Sequence, residues 1–511
     1  MEPVSTWTVF GILLITLITV CSVKVVALLY QELTYWKKRG VPYMQATPLL
    51  GMSWQVLLGR VSFPDYLSFL YYSHPDAAYI GGMENTVPLV IFRDPKLIRE
   101  VSVKYFDHFP NHRSFIPEEM DPIFGRNVFS LLDNRWRDMR NTLSPFFTSK
   151  KMRFMFGLVS KCSHDFVDCL HQHPELCSMV DIKDYFRKYT NDVIASVAFG
   201  INLNSLNDPE NEFYKAGTGI TDLTSFIRMI KIMLFRLSPR LWRMTGLSLF
   251  SKSGMKFFYN VISESVRARD EQGFVRLDMI HLLIQARDRE KHQSVTNIDD
   301  IVAQTFIFFF AGFDTMSTLL AYLTYELALN QDIQEKLREE VDHYMTKENE
   351  EITYETLSKM EYLEMVVSET HRKYPVVITD RVCTEKFELP PAGPGYNKTT
   401  VNPNDSIWIP IYALHHDPKY FPNPDKFDPE RFNEENKRNI VPYTYMPFGV
   451  GPRMCMGNRL SMMEAKIVTV HLLRKFFVLP NEKTKPVRFK KGGFALIPID
   501  GLFCSFKKRD P

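Results

Sequence analysis

The run from Ile298 to Asn330 constrains the fold more than any other part of the chain. Apolar residues fill it at helical spacing, and Thr296 and Asn297 fit an N-terminal cap. A helix this long and apolar either spans a membrane or crosses the core of a large globular domain. Asp314 and Thr315 interrupt the apolar run, and an aspartate inside a bilayer needs a partner. The sequence therefore predicts a buried helix in a large domain.

The centre of this predicted helix reads Ala311-Gly312-Phe313-Asp314-Thr315. The small residues Ala311 and Gly312 would leave room beside the helix for a diatomic ligand. Asp314 and Thr315 would supply a proton path and a hydroxyl next to that space. The Thr315 hydroxyl could instead bond to a carbonyl of its own helix, and the sequence leaves both interpretations open.

A second pattern surrounds Cys455. The segment Phe448-Gly449-Val450-Gly451-Pro452-Arg453-Met454-Cys455-Met456-Gly457 fits F-x-x-G-x-R-x-C-x-G at every fixed position. A lone cysteine is ordinarily a small buried apolar residue, but the matched positions favour a thiolate ligand to haem iron. Arg453 could pair with a haem propionate, while Gly451 and Gly457 would let the backbone turn tightly beside a flat macrocycle.

Glu369 and Arg372 lie three residues apart and therefore share one face of a predicted helix. Exposed pairs at this spacing are common and contribute little to stability. Arg431, in the downstream segment Pro-Glu-Arg-Phe, gives the pair more weight. The sequence predicts that the three side chains form a buried triad, which would hold the cysteine loop against the helix carrying Glu369.

Trp136 and Arg140 lie one helical turn apart in Trp-Arg-Asp-Met-Arg. An indole N–H and a guanidinium at this spacing can donate to one carboxylate from the same side. Taken singly, this pattern is a weak indication of a carboxylate site.

The first part of the chain predicts a membrane anchor. Trp7 to Tyr30 is predominantly apolar and long enough to span a bilayer, and no basic segment of the kind that opens a signal peptide precedes it. Lys37, Lys38 and Arg39 follow, which places the remainder on the cytoplasmic side. We therefore divide the chain into an anchor with its basic flank, a Pro-bearing linker and a catalytic domain, at residues 1–34, 35–51 and 52–511.

The rest of the sequence predicts a mainly α domain with a minor β region. Ala78–Gly82 and Leu89–Phe92 have the pattern of short strands, a helical pattern extends from Pro95 to Glu369, and strands return after Phe387. The net charge of +3 is too small for a nucleic-acid-binding face. Seven cysteines without a C-x-x-C pair favour a reducing compartment.

The patterns at residues 136–140, 311–315, 369–372 and 448–457, in this order along the chain, resemble the signature motifs of the cytochrome P450 family. The resemblance extends from Pro42 to about Phe506. It implies a mainly α single domain shaped like a triangular prism, and haem b as the cofactor. It assigns dioxygen activation to Asp314 and Thr315, and a structural triad to Glu369, Arg372 and Arg431. The residues that it assigns to the haem are Cys455 as axial ligand, Arg453, Trp136, Arg140, Arg381 and Phe448.

The resemblance also implies the reaction and its partners. Two electrons and O2 insert one oxygen atom into a lipophilic substrate and release the other as water. No flavin or nicotinamide motif occurs in the chain, so NADPH-cytochrome P450 reductase would be the donor, with cytochrome b5 as a further candidate. Lys150, Lys151 and Arg153 could dock that donor, or be ordinary solvated charges. The anchor implies the endoplasmic reticulum membrane.

In detail the chain most resembles insect microsomal members of the xenobiotic-metabolising group. That implies insecticides and plant toxins as substrates, with hormones as a further class. Met316 and Val376 depart from the usual pattern without touching the proposed chemistry. The stretch Phe226 to Phe250 mixes apolar and basic residues, and could either enter the membrane interface or form a core helix pair.

Two rival functions stay open. A haem-thiolate isomerase or dehydratase would need neither reductase nor O2, and the pair Asp314-Thr315 argues against it. A membrane-tethered haem protein that sequesters lipophiles would use the same apolar pocket, and the sequence does not exclude it.

Overall fold

Helices form most of the structure, as the helical spacing between Pro95 and Glu369 predicts. The computed structural model describes residues 6–47, 50–113, 116–118, 120–221, 226–273, 276, 278–288, 295, 297–346, 351–493 and 495–509. Its helices are α1 Thr6–Arg39, α2 Trp54–Leu57, α3 Phe63–Tyr72, α4 Pro95–Arg99, α5 Pro122–Gly125, α6 Asp133–Leu143, α7 Ser149–Gln172, α8 Ile182–Ile194, α9 Glu212–Thr221, α10 Phe226–Leu237, α11 Pro239–Thr245, α12 Lys252–Gln272, α13 Met279–Asp288, α14 Ile298–Leu329, α15 Gln331–Tyr344, α16 Tyr354–Lys359, α17 Glu361–Lys373, α18 Ile411–His415, α19 Glu434–Lys437 and α20 Asn458–Lys475.

Short strands form three small sheets in the described part of the chain. They are β1 Tyr79–Glu84, β2 Val87–Phe92, β3 Val180–Asp181, β4 Thr379–Val382, β5 Phe387–Leu389, β6 Thr399–Val401, β7 Ser406–Ile409, β8 Phe476–Leu479 and β9 Phe503–Lys508. The four-stranded sheet has the order β1-β2-β7-β4, the second sheet β3-β9-β8 and the third β5-β6. The predicted N-terminal strands are confirmed as an antiparallel hairpin, in which Tyr79 lies opposite Phe92.

Helix α14 crosses the core, as its sequence predicts. The Asn297 side chain accepts from the Asp300 N–H and the Asp300 side chain accepts from the Asn297 N–H, which closes a capping box. Thr296, part of the predicted cap, lies outside the described residues. Of the helices that the structure describes, α14 alone is long and apolar enough to cross a membrane, and most of it is buried. This burial confirms a core helix.

Helix α1 carries the predicted anchor and continues beyond it. Its apolar stretch Phe10–Lys24 is shorter than the usual span, while the helix as a whole reaches Arg39 and ends before Pro42. Five residues assigned to the linker are therefore helical. The indole N–H of Trp36 donates to the Gly82 carbonyl at 2.6 Å, and a Cβ on Gly81 would lie 2.4 Å from the Trp36 ring. The last turn of α1 thus packs onto the first sheet.

Candidate active site

The loop before α20 holds Cys455 through local geometry. The Cys455 N–H donates to the Phe448 carbonyl at 2.9 Å, and the loop turns at Gly449 and Gly451, both with φ of +74°. A Cβ on Gly451 would lie 1.9 Å from the carbonyl oxygen of Ser102, so only glycine fits at that position.

Gly457 differs from its predicted role as a tight turn. Its φ is −83°, a value that any residue adopts, and it is the N-cap of α20. A Cβ at this position would lie 3.9 Å from the Cys455 sulfur. That is an ordinary van der Waals distance, so the backbone at Gly457 requires glycine neither for its φ nor for space.

The Cys455 side chain is exposed, although protein surrounds the loop that carries it. That surrounding protein raises the pKa of the Cys455 thiol by desolvation, while the Gly457 backbone and the Arg140 guanidinium act in the opposite direction. Arg140 also donates to the Met454 carbonyl at 2.7 Å, which fixes its position beside the thiol. Binding to a metal ion would favour the thiolate outright.

Arg453 is a buried cation whose partners in the described structure are neutral. Its guanidinium donates to the Pro110 carbonyl at 2.7 Å, the Leu131 carbonyl at 2.9 Å and the Asn111 amide oxygen at 3.2 Å. Its Nη1 is buried without a partner among the described residues. Desolvation, followed by the charge of Arg381, lowers the pKa of Arg453 to about 9.

Arg381, on β4, is a second such cation. It donates to the Asp380 carbonyl at 2.6 Å and the Val450 carbonyl at 2.9 Å, and its Nε has no partner among the described residues. Burial lowers the pKa of Arg381 to about 10, and the Asp380 charge offsets part of this. The Asp380 carboxylate is itself bound by the His112 ring at 2.8 Å and the Arg113 N–H at 2.7 Å.

Trp136, on helix α6, packs against Arg453. It is buried, and the Arg453 guanidinium carbon lies 3.9 Å from the centroid of its ring. The structure thus brings Arg453, Arg381, Trp136 and Arg140 around the loop of Cys455. Two buried guanidinium groups with orphan nitrogens suit the two propionates of a haem, so the residues present fit the group.

Above this loop, the middle of α14 has one accessible face. Ala311 and Thr315 are exposed, whereas Phe313 and Met316 are buried. The Thr315 hydroxyl donates to the Ala311 carbonyl at 2.5 Å. Of the two roles that the sequence leaves open for this hydroxyl, the structure shows the bond to its own helix. The Ser461 hydroxyl of α20 donates to the Met316 sulfur at 2.9 Å, which links α14 to the helix that follows Cys455.

Asp314 forms ion pairs with helix α8. One carboxylate oxygen lies 2.8 Å from Arg187 Nη2 and 3.1 Å from Lys183 Nζ. Burial would raise the pKa of Asp314, but the Lys183 and Arg187 charges outweigh it and lower the pKa below the usual value. Burial lowers the pKa of Lys183 to about 8. Asp314 is therefore a carboxylate at neutral pH.

The triad is brought together as the sequence predicts. Arg372 holds Glu369 through two contacts of 2.8 and 2.9 Å, and Arg431 Nε lies 3.5 Å from the same carboxylate. Glu369 and Arg372 are fully buried. The Asp428 N–H donates to Glu369 at 2.9 Å, which extends the network towards the cysteine loop.

His415 completes that connection, and no sequence motif indicated it. Its Nδ1 lies 3.1 Å from the Arg372 carbonyl, and its Nε2 accepts from the Met446 N–H at 2.9 Å. The chain ahead of the cysteine loop is thereby tied to α17. Phe448, which the resemblance assigns to the haem, packs against His371 of α17 with ring centroids 4.7 Å apart.

Comparison with known proteins gives the same assignment over nearly the whole chain. The profile of the family described as Cytochrome P450 matches residues 82–505. Cytochrome P450 9e2 of Blattella germanica is 41% identical, over 93% of this chain and 94% of that protein. Probable cytochrome P450 9f2 of Drosophila melanogaster is 39% identical, over 93% and 95%. Cytochrome P450 6j1 of Blattella germanica is 35% identical, over 98% and 99%.

Proposed function

This chain belongs to the cytochrome P450 family, and from that premise we propose that it oxidises lipophilic foreign compounds at the endoplasmic reticulum with electrons from NADPH-cytochrome P450 reductase. Its reaction class is that of a haem monooxygenase, and haem iron with a cysteine thiolate ligand is the cofactor of the family. The observation that carries the proposal is that Cys455 lies beside two buried arginines whose hydrogen-bond partners among the described residues are all neutral.

Different residues of the site would bind the iron and the propionates of the haem. When bound, haem supplies the iron that binds and activates dioxygen. Cys455 would ligate that iron, with the Gly457 backbone and Arg140 stabilising the negative charge on its sulfur. Arg453 and Arg381 would bind the propionates, since each has a guanidinium nitrogen to spare.

Asp314 and Thr315 would hold and move protons at the accessible face of α14. The Thr315 hydroxyl would have to give up its bond to the Ala311 carbonyl, by a rotation about χ1, before it could donate a proton to any other acceptor. Asp314 can accept a proton only when its ion pairs with Lys183 and Arg187 loosen, because these charges lower its pKa. Proton delivery would therefore depend on movement of the α8 side chains.

Apolar side chains around the accessible face of α14 support a lipophilic substrate. Phe308 and Phe310 are partly exposed beside Ala311, and Val376, which follows the helix of the triad, is 56% exposed. A pocket of this composition selects ligands by shape and apolar area rather than by a fixed set of hydrogen bonds. This favours lipophilic substrates, and we propose insecticides and plant toxins, with hormones as a further class.

The exposed apolar surface supports the membrane location. Helix α1 exposes Trp7, Phe10 and Ile15, and α10 exposes Ile227 and Leu234 on one face. Of the two interpretations of residues 226–250, this exposed face favours contact with the membrane interface. We therefore propose that α1 crosses the endoplasmic reticulum membrane with the catalytic domain on the cytoplasmic side, since its 34 helical residues supply the length that the apolar stretch Phe10–Lys24 alone lacks.

Basic residues at the start of α7 are the candidate docking site for the reductase, with cytochrome b5 as an alternative occupant. Lys150 and Arg153 are exposed, and Arg153 pairs with Glu355 at 3.1 Å. An acidic donor would compete with Glu355 for this cation. Reductase-dependent turnover should fall as ionic strength rises, since exposed charges are screened by salt.

The decisive experiment is the ferrous-CO difference spectrum of the membrane-expressed protein and of Cys455→Ala. Thiolate ligation places the Soret band far to the red, and the variant should lose that band while Cys162→Ala, a control at a half-buried cysteine, keeps it. An unchanged spectrum in Cys455→Ala would refute the assignment of the ligand.

Turnover with reductase then separates the rival functions. A monooxygenase consumes NADPH and O2 in step with an oxygenated product. Conversion of a peroxide without NADPH would indicate an isomerase or dehydratase, and binding of lipophiles without any product would indicate a sequestering protein.

A further inference from the structure

His371, on α17 between Glu369 and Arg372, is a buried polar residue that takes no part in the triad. Its side chain is 7% exposed, and its Nε2 has no hydrogen-bond partner among the described residues. Burying an unpaired polar atom costs free energy, whereas an apolar side chain of similar size would fill the same space without that cost. The packing of α17 therefore does not explain why a histidine stands here.

The imidazole of His371 is neutral, so it acts on its neighbours as a dipole rather than as a charge. Burial lowers the pKa of His371 to about 4. A neutral imidazole has one ring N–H and one bare nitrogen, and such a dipole acts more strongly in a dry interior than in water. Its effect on the surrounding residues is therefore constant across neutral pH.

Phe448 links this imidazole to the backbone of Cys455. The rings of His371 and Phe448 have centroids 4.7 Å apart, and their planes are inclined by 59°. The Phe448 carbonyl accepts from the Cys455 N–H at 2.9 Å. His371 thus packs on the residue that fixes the backbone of the proposed thiolate ligand.

A second histidine ties the same segment to α17 by hydrogen bonds. His415 joins the Arg372 carbonyl to the Met446 N–H, two residues before Phe448. The loop is therefore already anchored to α17 without His371. What His371 adds is a polar ring in contact with Phe448, which points to an electrostatic role.

We propose that His371 is a positioning residue that acts through Phe448 and raises the reduction potential of the haem iron. The inference rests on the proposed function, because it needs haem bound with Cys455 as its ligand. Reduction transfers one electron from the donor to ferric iron, and no bond to the protein forms or breaks. The electron adds one negative charge to the unit of iron and thiolate. A polar neighbour stabilises that charge better than an apolar one, so His371 favours the ferrous state.

The test measures the midpoint potential of the full-length protein with haem bound, by spectroelectrochemical titration under nitrogen. His371→Leu removes the dipole and keeps an apolar side chain of similar size, while His371→Gln keeps a polar group. His471→Leu is the matched control, because burial also lowers the pKa of His471 to about 4. His471 lies near the far end of α20, where its ring contacts Ser160 and His164 of α7.

His371→Leu should make ferric iron about tenfold harder to reduce, which corresponds to a potential lower by about 59 mV for one electron. His371→Gln should recover most of this loss, and His471→Leu should keep the wild-type potential. Urea unfolding separates this role from a structural one, because His371→Leu should be at least as stable as wild type once the unpaired nitrogen is gone. If His371→Leu takes up no haem, His371→Met gives the same comparison, since methionine adapts to irregular space.

An unchanged or higher potential in the apolar variant would overturn the proposal, and so would an equal shift in His371→Gln or in His471→Leu. The ferrous-CO spectrum of each protein distinguishes the two levels of the argument. A red-shifted band in every variant together with equal potentials would refute the role of His371 alone, whereas absence of that band from the wild type would refute the proposed function as well.

Discussion

Thr315 and Asp314 are adjacent in the sequence but have different surroundings in the structure. Thr315 lies on the accessible face of α14, whereas Asp314 turns towards α8 and its two cations. A helix places consecutive side chains about 100° apart, so one residue can serve the oxygen side while the next contacts the packed side. The two residues therefore connect an open space to a half-buried group of ion pairs.

Thr315→Ala should retain haem and lose coupling. Without the hydroxyl, NADPH consumption continues but the product formed per NADPH should fall about tenfold or more. The ratio of product to NADPH in reductase-supported turnover measures this effect. Thr305→Ala is the control, because Thr305 is buried in the same helix and its hydroxyl has no partner among the described residues. Normal coupling in Thr315→Ala would remove this residue from the mechanism.

Glu464, on α20, should make stability depend on pH. Burial raises the pKa of Glu464 to about 8, whereas a glutamate in an unfolded chain titrates near about 4.3. Between these values the folded protein keeps a proton that the unfolded chain loses, so the free energy of unfolding falls as pH rises, by at most about 1.4 kcal/mol per unit.

Glu464→Gln should reduce this fall, as measured by urea unfolding between pH 5 and pH 8. Glutamine stays neutral over the whole range and keeps the shape of the side chain. The control is Glu482→Gln at an exposed position, which should keep the wild-type slope. If Glu464→Gln showed the same slope as wild type, the buried carboxyl would not be the cause.

For single residues, the sequence predicted the roles of those within motifs but missed the distant residues that contact them. Cys455, Arg453, Glu369 and Arg372 follow from fixed local spacing. Lys183 does not, because nothing in the segment around it indicates contact with a helix more than a hundred residues away. Such contacts depend on packing between elements, which a single sequence does not encode locally.

The cysteine loop turns at two glycines that share a backbone conformation but differ in the space around them. Gly449 and Gly451 share a φ of +74°, but no atom lies within 4 Å of an added Cβ on Gly449. Gly449→Ala should therefore cost only backbone strain, about 1 kcal/mol in the free energy of unfolding. Haem content, measured by the pyridine haemochrome method, should stay normal in that variant.

Gly451→Ala should displace the loop as well as strain it, because the added Cβ would overlap the Ser102 carbonyl. We expect a larger loss of stability than in Gly449→Ala, together with loss of haem. Equal haem content and equal stability in the two variants would show that the contact with Ser102 does not position the loop.

Long helices were predictable and short strands were less so. The capping pattern and apolar spacing of α14 predicted its start within one residue. Strand β3 has two residues and pairs with β9, far along the chain, so no local alternation marks it. The end of α1 was placed too early because its last turn is polar and is stabilised by packing on the sheet.

For the whole molecule, the packing of α1 predicts how the chain tolerates truncation. Removing residues 1–30 takes away the apolar stretch but leaves Trp36 and Tyr35, whose hydroxyl donates to Asp405 at 3.2 Å. Removing residues 1–39 also removes these contacts and should lower the free energy of unfolding by a further 3 kcal/mol or so, as large buried aromatic deletions do.

Both truncated forms should leave the membrane fraction in part, so the difference in stability between them measures the packing of residues 31–39, chiefly Tyr35 and Trp36. Urea unfolding in detergent measures it. Equal stability of the two forms would mean that the last turn of α1 adds nothing to the fold.

The overall architecture came from the resemblance rather than from local patterns. Periodicity indicated a mainly helical domain with a small β part, but it contained no information about which helices surround α14. The arrangement of helices around α14 was predicted from the order of the motifs, since four patterns at the right separations match one family.

Trp36 lies in the last turn of α1 and packs on Gly81, so a change in the tilt of the proposed anchor would be transmitted to the catalytic domain. Thirty-four helical residues rise about 51 Å, and their inner end is fixed to the first sheet. Once α1 spans a bilayer, as proposed, a thinner or thicker membrane changes its tilt. The catalytic domain must then rotate with it, so the depth at which the substrate entrance meets the lipid would follow membrane thickness.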